Sequence, residues 1–199
     1  MWLYLSFSYP SCRIPPNVRF EIDDATLTWT FPKDHFDFIH ARTLAGAIQD
    51  WPALLHQCYD HCTPGGKVEI AEGRANFFCD DDSLEESSST FKWLTEFRRL
   101  STPLGFDIAP QLPKLLEEAG FTEVQLLQKV VPLGTWPKNA ALKELGKWFQ
   151  VQFLKMALEA YTLALFTRFG DWQYNEVQVL LATVRNELAS GKIHLYTYT

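Results

Sequence analysis

The sequence predicts an α/β fold with a doubly wound, mainly parallel sheet, and three observations predict it. Residues 36–40, Phe-Asp-Phe-Ile-His, form an apolar run of the length expected for a strand buried on both faces of a parallel sheet. Helical periodicity over residues 51–62 separates that run from a second strand-like run over 67–71. A shorter β-prone stretch, 18–22, precedes both, so strands and helices alternate at the lengths of βαβ units.

Each element has a local reason. Residues 1–8 are β-prone, and 9–17 hold three prolines and read as a loop. The 18–22 strand ends at the acidic pair Asp23-Asp24. Asp50 is a suitable N-cap for the 51–62 helix and Pro52 suits its first turn, while Thr63-Pro-Gly-Gly66 ends it. Residues 80–89 are acidic and serine-rich without apolar period, which predicts a mobile surface loop. Helices are expected over 90–100, with Phe91, Trp93 and Phe97, and over 111–119, closed by Gly120. Residues 123–131 alternate as a strand, 142–169 carry a long apolar periodicity ending at Gly170, and 175–190 form a last amphipathic helix before Gly191. Residues 193–199 alternate as an edge strand would, and no internal repeat is visible.

Composition narrows the function. With 199 residues the chain fits one domain, and 7 Trp with 15 Phe make its core ring-rich. The net charge is −6 and the only adjacent basic pair is Arg98-Arg99, which argues against nucleic acid as a partner. Cys58 and Cys62 lie four apart with His56 and His61 nearby, but no second ligand pair at zinc spacing accompanies them. Reduced thiols, no metal and a reducing compartment are the expectation, with cytoplasm and nucleus equally compatible. The apolar N-terminal stretch lacks a basic flank and is too short for a membrane span.

Three places can carry chemistry. Asp23-Asp24-Ala25 sits where a strand leaves the sheet, where a carboxylate can accept from an adenine amino group. As a bare pattern it is equally an ordinary turn. His40 and Arg42 follow the 36–39 run and so face the crevice at the carboxyl ends of parallel strands. There His40 could serve as a base and Arg42 could clamp a carboxylate or pair with Asp37 or Glu69. Glu72 occupies the matching lip of the next strand. A purely structural role is open for each. No GxGxxG, lysine phosphate loop or nucleophile elbow occurs. The aromatic stripes of 90–100 and 148–169 fit packing against the sheet or a partner better than a ligand box.

Longer motifs then point to a family. Asn17 through Asp24, Phe31-Pro32, Phe36 through Arg42, Pro64-Gly-Gly-Lys-Val-Glu-Ile-Ala-Glu72 and Pro132-Leu-Gly-Thr-Trp-Pro-Lys138 resemble class I S-adenosylmethionine methyltransferases, in particular the fungal velvet-complex regulators of secondary metabolism. The resemblance covers nearly the whole chain from Leu5 onward, including Leu142-Lys-Glu-Leu-Gly146 and the Glu176-Val-Gln-Val-Leu-Leu run. It implies a Rossmann-like sheet with added C-terminal helices and S-adenosylmethionine as cofactor. Residues 17–73 would be the cofactor side and 90–199 the substrate and cap side of a single 1–199 domain. It assigns Asp23, Asp24 and Ala25 to the adenine, and His40 and Arg42 to the cofactor cleft. His40 is then the catalytic candidate, with Glu72, Trp93 and Trp136 in the substrate pocket.

Against the family pattern, the first strand and its glycine-rich turn are missing, and Tyr4 stands where an acid should grip the ribose. The chain also reaches Thr199 before the usual end of the last strand. The expectation is an N-terminally shortened chain that binds the cofactor poorly alone and associates, with itself or another subunit, through an exposed sheet edge. Its partner would be a small-molecule substrate or a protein. Two alternatives stay open: a pseudo-methyltransferase scaffold or partner subunit, and a repurposed fold guiding cyclisation of a polyketide-like product.

Overall fold

The structure, a computed structural model, describes residues 2–3 and 17–199; the Tyr4 and Cys12 positions and most of the expected 1–8 strand lie outside them. The described strands form three two-stranded sheets. β1 (Trp2–Leu3) pairs in parallel with β2 (Phe20–Glu21), and β3 (Phe36–Arg42) pairs in parallel with β4 (Cys62–Ala71). Between β3 and β4 runs α1 (Trp51–His61), so the expected strand–helix–strand unit with a parallel pair is present. Asp50 caps α1, its Oδ1 accepting from the Ala53 N–H at 2.9 Å, with Pro52 in the first turn.

Two expectations for this unit change. β4 begins at Cys62, directly after α1, and the register jumps from Phe36↔Cys62 to Phe38↔Lys67. The Pro64-Gly65-Gly66 turn therefore survives as a bulge inside the strand, with Gly65 at φ 83°, a conformation that suits glycine. Second, β3 is not buried on both faces. Ile39 and Ala41 turn towards α1, but Phe38 is 55% exposed, and His40, Arg42, Lys67 and Glu69 line the same open face.

The remaining chain is mostly helical. α2 (Ser89–Ser101) is capped by Ser88, whose Oγ accepts from the Phe91 N–H. A short α3 (Leu112–Glu118) closes at Gly120. α4 (Ala140–Gln152) and α5 (Leu158–Phe169) are joined by a π-helical turn over Phe153–Ala157, and α6 (Tyr174–Ala189) follows. β5 (Val130–Pro132) and β6 (Tyr196–Tyr198) pair antiparallel, and Phe78 bridges to Tyr196 as well. The strand expected over 123–131 is thus only its last part: Glu123 has φ 55°, and Leu126 and Leu127 are exposed. β6 is likewise flanked on both sides rather than being an edge.

The 80–89 segment is not free. His194 Nδ1 lies 2.6 Å from Asp81 Oδ2, the His194 N–H donates to Ser83 Oγ, and the Tyr196 hydroxyl donates to Asp80 Oδ1. Leu84 packs against the main core. A mobile loop is what the composition predicts; partners more than a hundred residues away hold it instead.

Two apolar clusters result. The larger joins α2, α5, α6 and the segment before β6, around the fully buried Leu158, Phe166, Val177, Leu181 and Leu195. The smaller joins α1 to α3 through Ile48, Trp51, Leu54, Cys58, Ile108 and Leu112, with Ile39, Val68 and Ile70 of the sheet against it. Burial pushes the Cys58 thiol up to about 12, with Cys62 beside it adding to the effect. No helix of the described residues is long and apolar enough to cross a membrane.

Candidate functional site

The carboxyl ends of β2, β3 and β4 carry the residues that the sequence singles out. After β2, the chain turns at Asp23-Asp24. The Asp24 N–H donates to Asp23 Oδ1 at 2.8 Å, and Asp24 Oδ1 accepts from both the N–H and the hydroxyl of Thr26, at 2.9 and 2.7 Å. Those bonds hold the exposed Asp24 carboxyl below its ordinary range, the Thr26 hydroxyl contributing most. They leave Asp24 Oδ2 without a partner among the described residues, an ionised acceptor facing solvent. The turn is anchored from behind: Trp29 Nε1 donates to the Ala25 carbonyl and the Trp29 N–H to Gln57 Oε1 of α1.

β3 runs through Arg42, so His40 lies within the strand rather than after it. Its ring stands on the open face. His40 Nδ1 lies 2.9 Å from Glu69 Oε2, its cross-strand neighbour in the ladder. With a proton on Nδ1 held by the carboxylate, Nε2 is the free lone pair. Arg42 ends the strand at the lip, exposed, and makes neither of the expected ion pairs with Asp37 or Glu69.

Glu72 ends the next strand but turns inward. It is buried, and its Oε1 accepts from the Leu44 N–H at 2.5 Å, clamping the loop that leaves β3. Burial raises the Glu72 carboxyl above its ordinary range, with the Leu44 and Ala45 N–H groups partly offsetting it. Thr43 at φ 57° and Gly46 at φ 82° give that loop its tight path. Ala25 after β2 and Leu44-Ala45 after β3 pack on the same Ile48–Trp51 cluster, so the structure brings these two lips together.

The two tryptophans lie elsewhere. Trp93 is 2% exposed inside the helical core, and its Nε1 donates to Thr162 Oγ1 at 2.9 Å. Its ring is enclosed by Phe77, Phe97 and Phe153, which corrects its assignment to an open substrate pocket. The helical period that placed it on a stripe is a core period. Trp136 is half-buried, donating to the Leu195 carbonyl and stacking on His194, away from the strand ends. Sequence reasoning offers Glu69 only as a partner for Arg42, whereas it orients His40, and it gives Trp51 no polar role. The buried Trp51 Nε1 has no acceptor among the described residues. Its signal was the pattern Asp-Trp-Pro at a helix start, which reads only as a cap.

Comparison with known proteins adds the following. A family model described as a methyltransferase domain matches residues 7–126. Methyltransferase pytC of Aspergillus terreus is 37% identical over 90% of this chain and 56% of its own length. A secondary metabolism regulator of Cochliobolus heterostrophus is 35% identical over 92% of this chain and 61% of its own. A protein-methionine methyltransferase of Emericella nidulans, laeA, is 27% identical over 92% of this chain and 49% of its own. The chain thus spans about half to three-fifths of the length of these relatives.

Proposed function

The chain belongs to the methyltransferase-domain family, and from that premise we propose that it serves S-adenosylmethionine-dependent methyl transfer in fungal secondary metabolism. The relatives' names, a methyltransferase and a secondary metabolism regulator, support the setting. The α/β, Rossmann-like fold supports the mode of binding, since ligands of open α/β sheets lie at the carboxyl ends of the strands.

The described residues fit the adenosine end of that cofactor. Asp24 Oδ2 is a free, ionised acceptor, Asp23 and the Ala25 backbone flank it, and the orphaned Trp51 N–H is a buried donor in the cluster beneath the same turn. A buried donor without an acceptor costs about 1–3 kcal/mol, a cost that a ligand acceptor would remove. Bound, the cofactor supplies a methyl group on a sulfonium that an acceptor atom attacks. His40 carries the chain's side of that chemistry: Glu69 holds Nδ1, and Nε2 receives the proton of the acceptor's O–H or N–H. The His40–Glu69 bond is the single observation that carries this reading. Arg42 at the lip positions an anionic acceptor, and Glu72 holds the loop that both groups depend on.

Calorimetric titration of S-adenosylhomocysteine into the chain tests it. Asp24→Ala should weaken binding about tenfold or more, the loss of a charge-assisted hydrogen bond, and His40→Ala should remove turnover while leaving binding unchanged. Equal affinities for the parent and Asp24→Ala would overturn the adenosine assignment. Saturable binding with full turnover in His40→Ala would overturn the base. No binding at all would favour a scaffold role.

A further inference from the structure

Away from the strand ends, the α4–π–α5 helix carries a surface that the fold does not use. From Ala140 to Phe169 it spans about 45 Å at the usual rise per residue. Its inner side packs Gly146 before the π turn, Phe153 within it and Leu158, Thr162 and Leu165 after it. Gly146 is obligatory there, because a Cβ would overlap the Gly134 carbonyl oxygen. The π turn absorbs one extra residue and resets the phase, so an outward apolar row continues along the helix. Leu145, Trp148 and Met156 stand on it with Ala160 and Ala164, at i, i+3 and i+4 spacing. Trp148 is 62% exposed and Met156 69%. At the α5 end the row opens into a shallow cavity of about 390 Å³ lined by Ala160, Leu163, Ala164 and Tyr174, with Glu159 and Arg168 at its rim.

One flank of this row is basic. Lys143, Lys147 and Lys155 follow at helical spacing, all exposed, in a chain of net charge −6. Lys143 and Lys155 make no ion pair among the described residues, and Lys147 lies over the Trp148 ring while reaching Glu144 only at 3.9 Å. Of the acidic side chains on the helix, Glu159 is taken by Arg185 at 2.6 Å and Glu144 accepts from Trp148 Nε1. The flank thus faces solvent as positive charge beside an apolar row.

We propose that this face docks an acidic amphipathic helix of a partner protein. Apolar anchors of the partner fill the row and the cavity at its end, and carboxylates along one edge meet the lysines. Charge selects this occupant over the two others. A second copy packed antiparallel across a two-fold axis would set lysine row against lysine row, and one packed parallel would leave both lysine rows without an acidic partner. A lipid surface calls for a broad apolar face with cations on both flanks, whereas this row is narrow, is interrupted by Gln152 and carries Lys143, Lys147 and Lys155 along one flank with Arg168 only at its end.

The test uses the full chain and two labelled peptides of about 20 residues, one with leucines at helical spacing and glutamates elsewhere, its twin with lysines for the glutamates. Fluorescence anisotropy should show the glutamate peptide binding and the lysine twin failing. Trp148→Ala with Met156→Ser should weaken the glutamate peptide about tenfold or more, the loss of two apolar anchors. Lys143→Glu with Lys155→Glu should weaken it comparably and admit the lysine twin. These positions are exposed, so circular dichroism melts of both variants should match the parent. Equal binding of the two peptides, or binding indifferent to both variants, overturns the proposal. So does cosedimentation with phosphatidylserine vesicles, or dimerisation, that Trp148→Ala abolishes while the glutamate peptide fails to bind.

Discussion

The helical half of the molecule and the half built on β3, β4 and α1 are held together differently. In the helical half, α2, α5 and α6 enclose Leu158, Phe166, Val177 and Leu181 on every side. Its polar groups are saturated: the Glu187 carboxylate accepts the Ser89 and Thr90 N–H groups and the Thr90 hydroxyl, and Trp93 finds Thr162. In the strand half, one face of β3–β4 packs on α1 and the other is open among the described residues, where the Trp51 N–H also has no acceptor. Every residue proposed to meet the cofactor or acceptor lies in the second half. Packing and chemistry have been divided: the helices supply a rigid body, and the strands present polar groups that the fold itself does not consume.

If that division is right, the largest effect comes from the helical core. Phe166→Ala leaves a cavity where the ring has no solvent contact and should cost about 3–5 kcal/mol. Urea unfolding would show it as a fall in midpoint at unchanged slope, whereas a loss below about 1 kcal/mol would mean that the helices repack and are not the rigid half. A smaller break is Glu187→Gln. The carboxylate sits at the N-terminus of α2, where its negative charge is favoured by the positive end of the helix dipole and receives three donors. The amide keeps one acceptor oxygen and loses the charge, so about 1–2 kcal/mol should go, measured the same way.

The sequence discloses these halves unequally. The βαβ unit, its cap at Asp50 and the crevice lip at Asp24 follow from local pattern, because caps, turns and apolar periods act over a few residues. The open face of β3 does not. Asp37 aside, Phe-Asp-Phe-Ile-His reads as apolar on both sides, and no element of the described residues covers Phe38, which is left exposed. Glu69 and Glu72 were equally opaque. Three residues apart, Glu69 within β4 and Glu72 just past its end, they turn to opposite sides, one to His40 and the other to the Leu44 backbone. The 80–89 loop misled for the same reason: its partners are His194 and Tyr196, beyond any local window.

Glu72 allows the strand half to be probed by pH. Its folded value is raised above the ordinary carboxylate value by burial. As pH rises from below the unfolded value, the unfolded chain releases this proton first, so the folded state binds more protons and stability falls until the folded carboxyl ionises too. Glu72→Gln keeps an acceptor for the Leu44 N–H and cannot ionise. Melting curves across that window should therefore show the parent losing ground against the variant as pH rises, then a constant gap. A parent that gains on the variant as pH rises would contradict the burial of this carboxylate.

The finest test sets two neighbours on β3 against each other. Phe38 and Ile39 differ by one position and so by one face of the pleat. Ile39 packs on the α1 cluster, and Ile39→Ala should cost about 1–3 kcal/mol. Phe38→Ser removes a larger side chain from solvent and should change stability by about 0.5 kcal/mol or less. Size alone would predict the reverse order, so the comparison reports burial rather than volume. Equal losses would mean that Phe38 is covered in solution, and concentration-dependent unfolding of the parent would identify another copy of the chain as the cover. Unequal losses in the stated order leave His40 and Glu69, on the same face as Phe38, open to an acceptor.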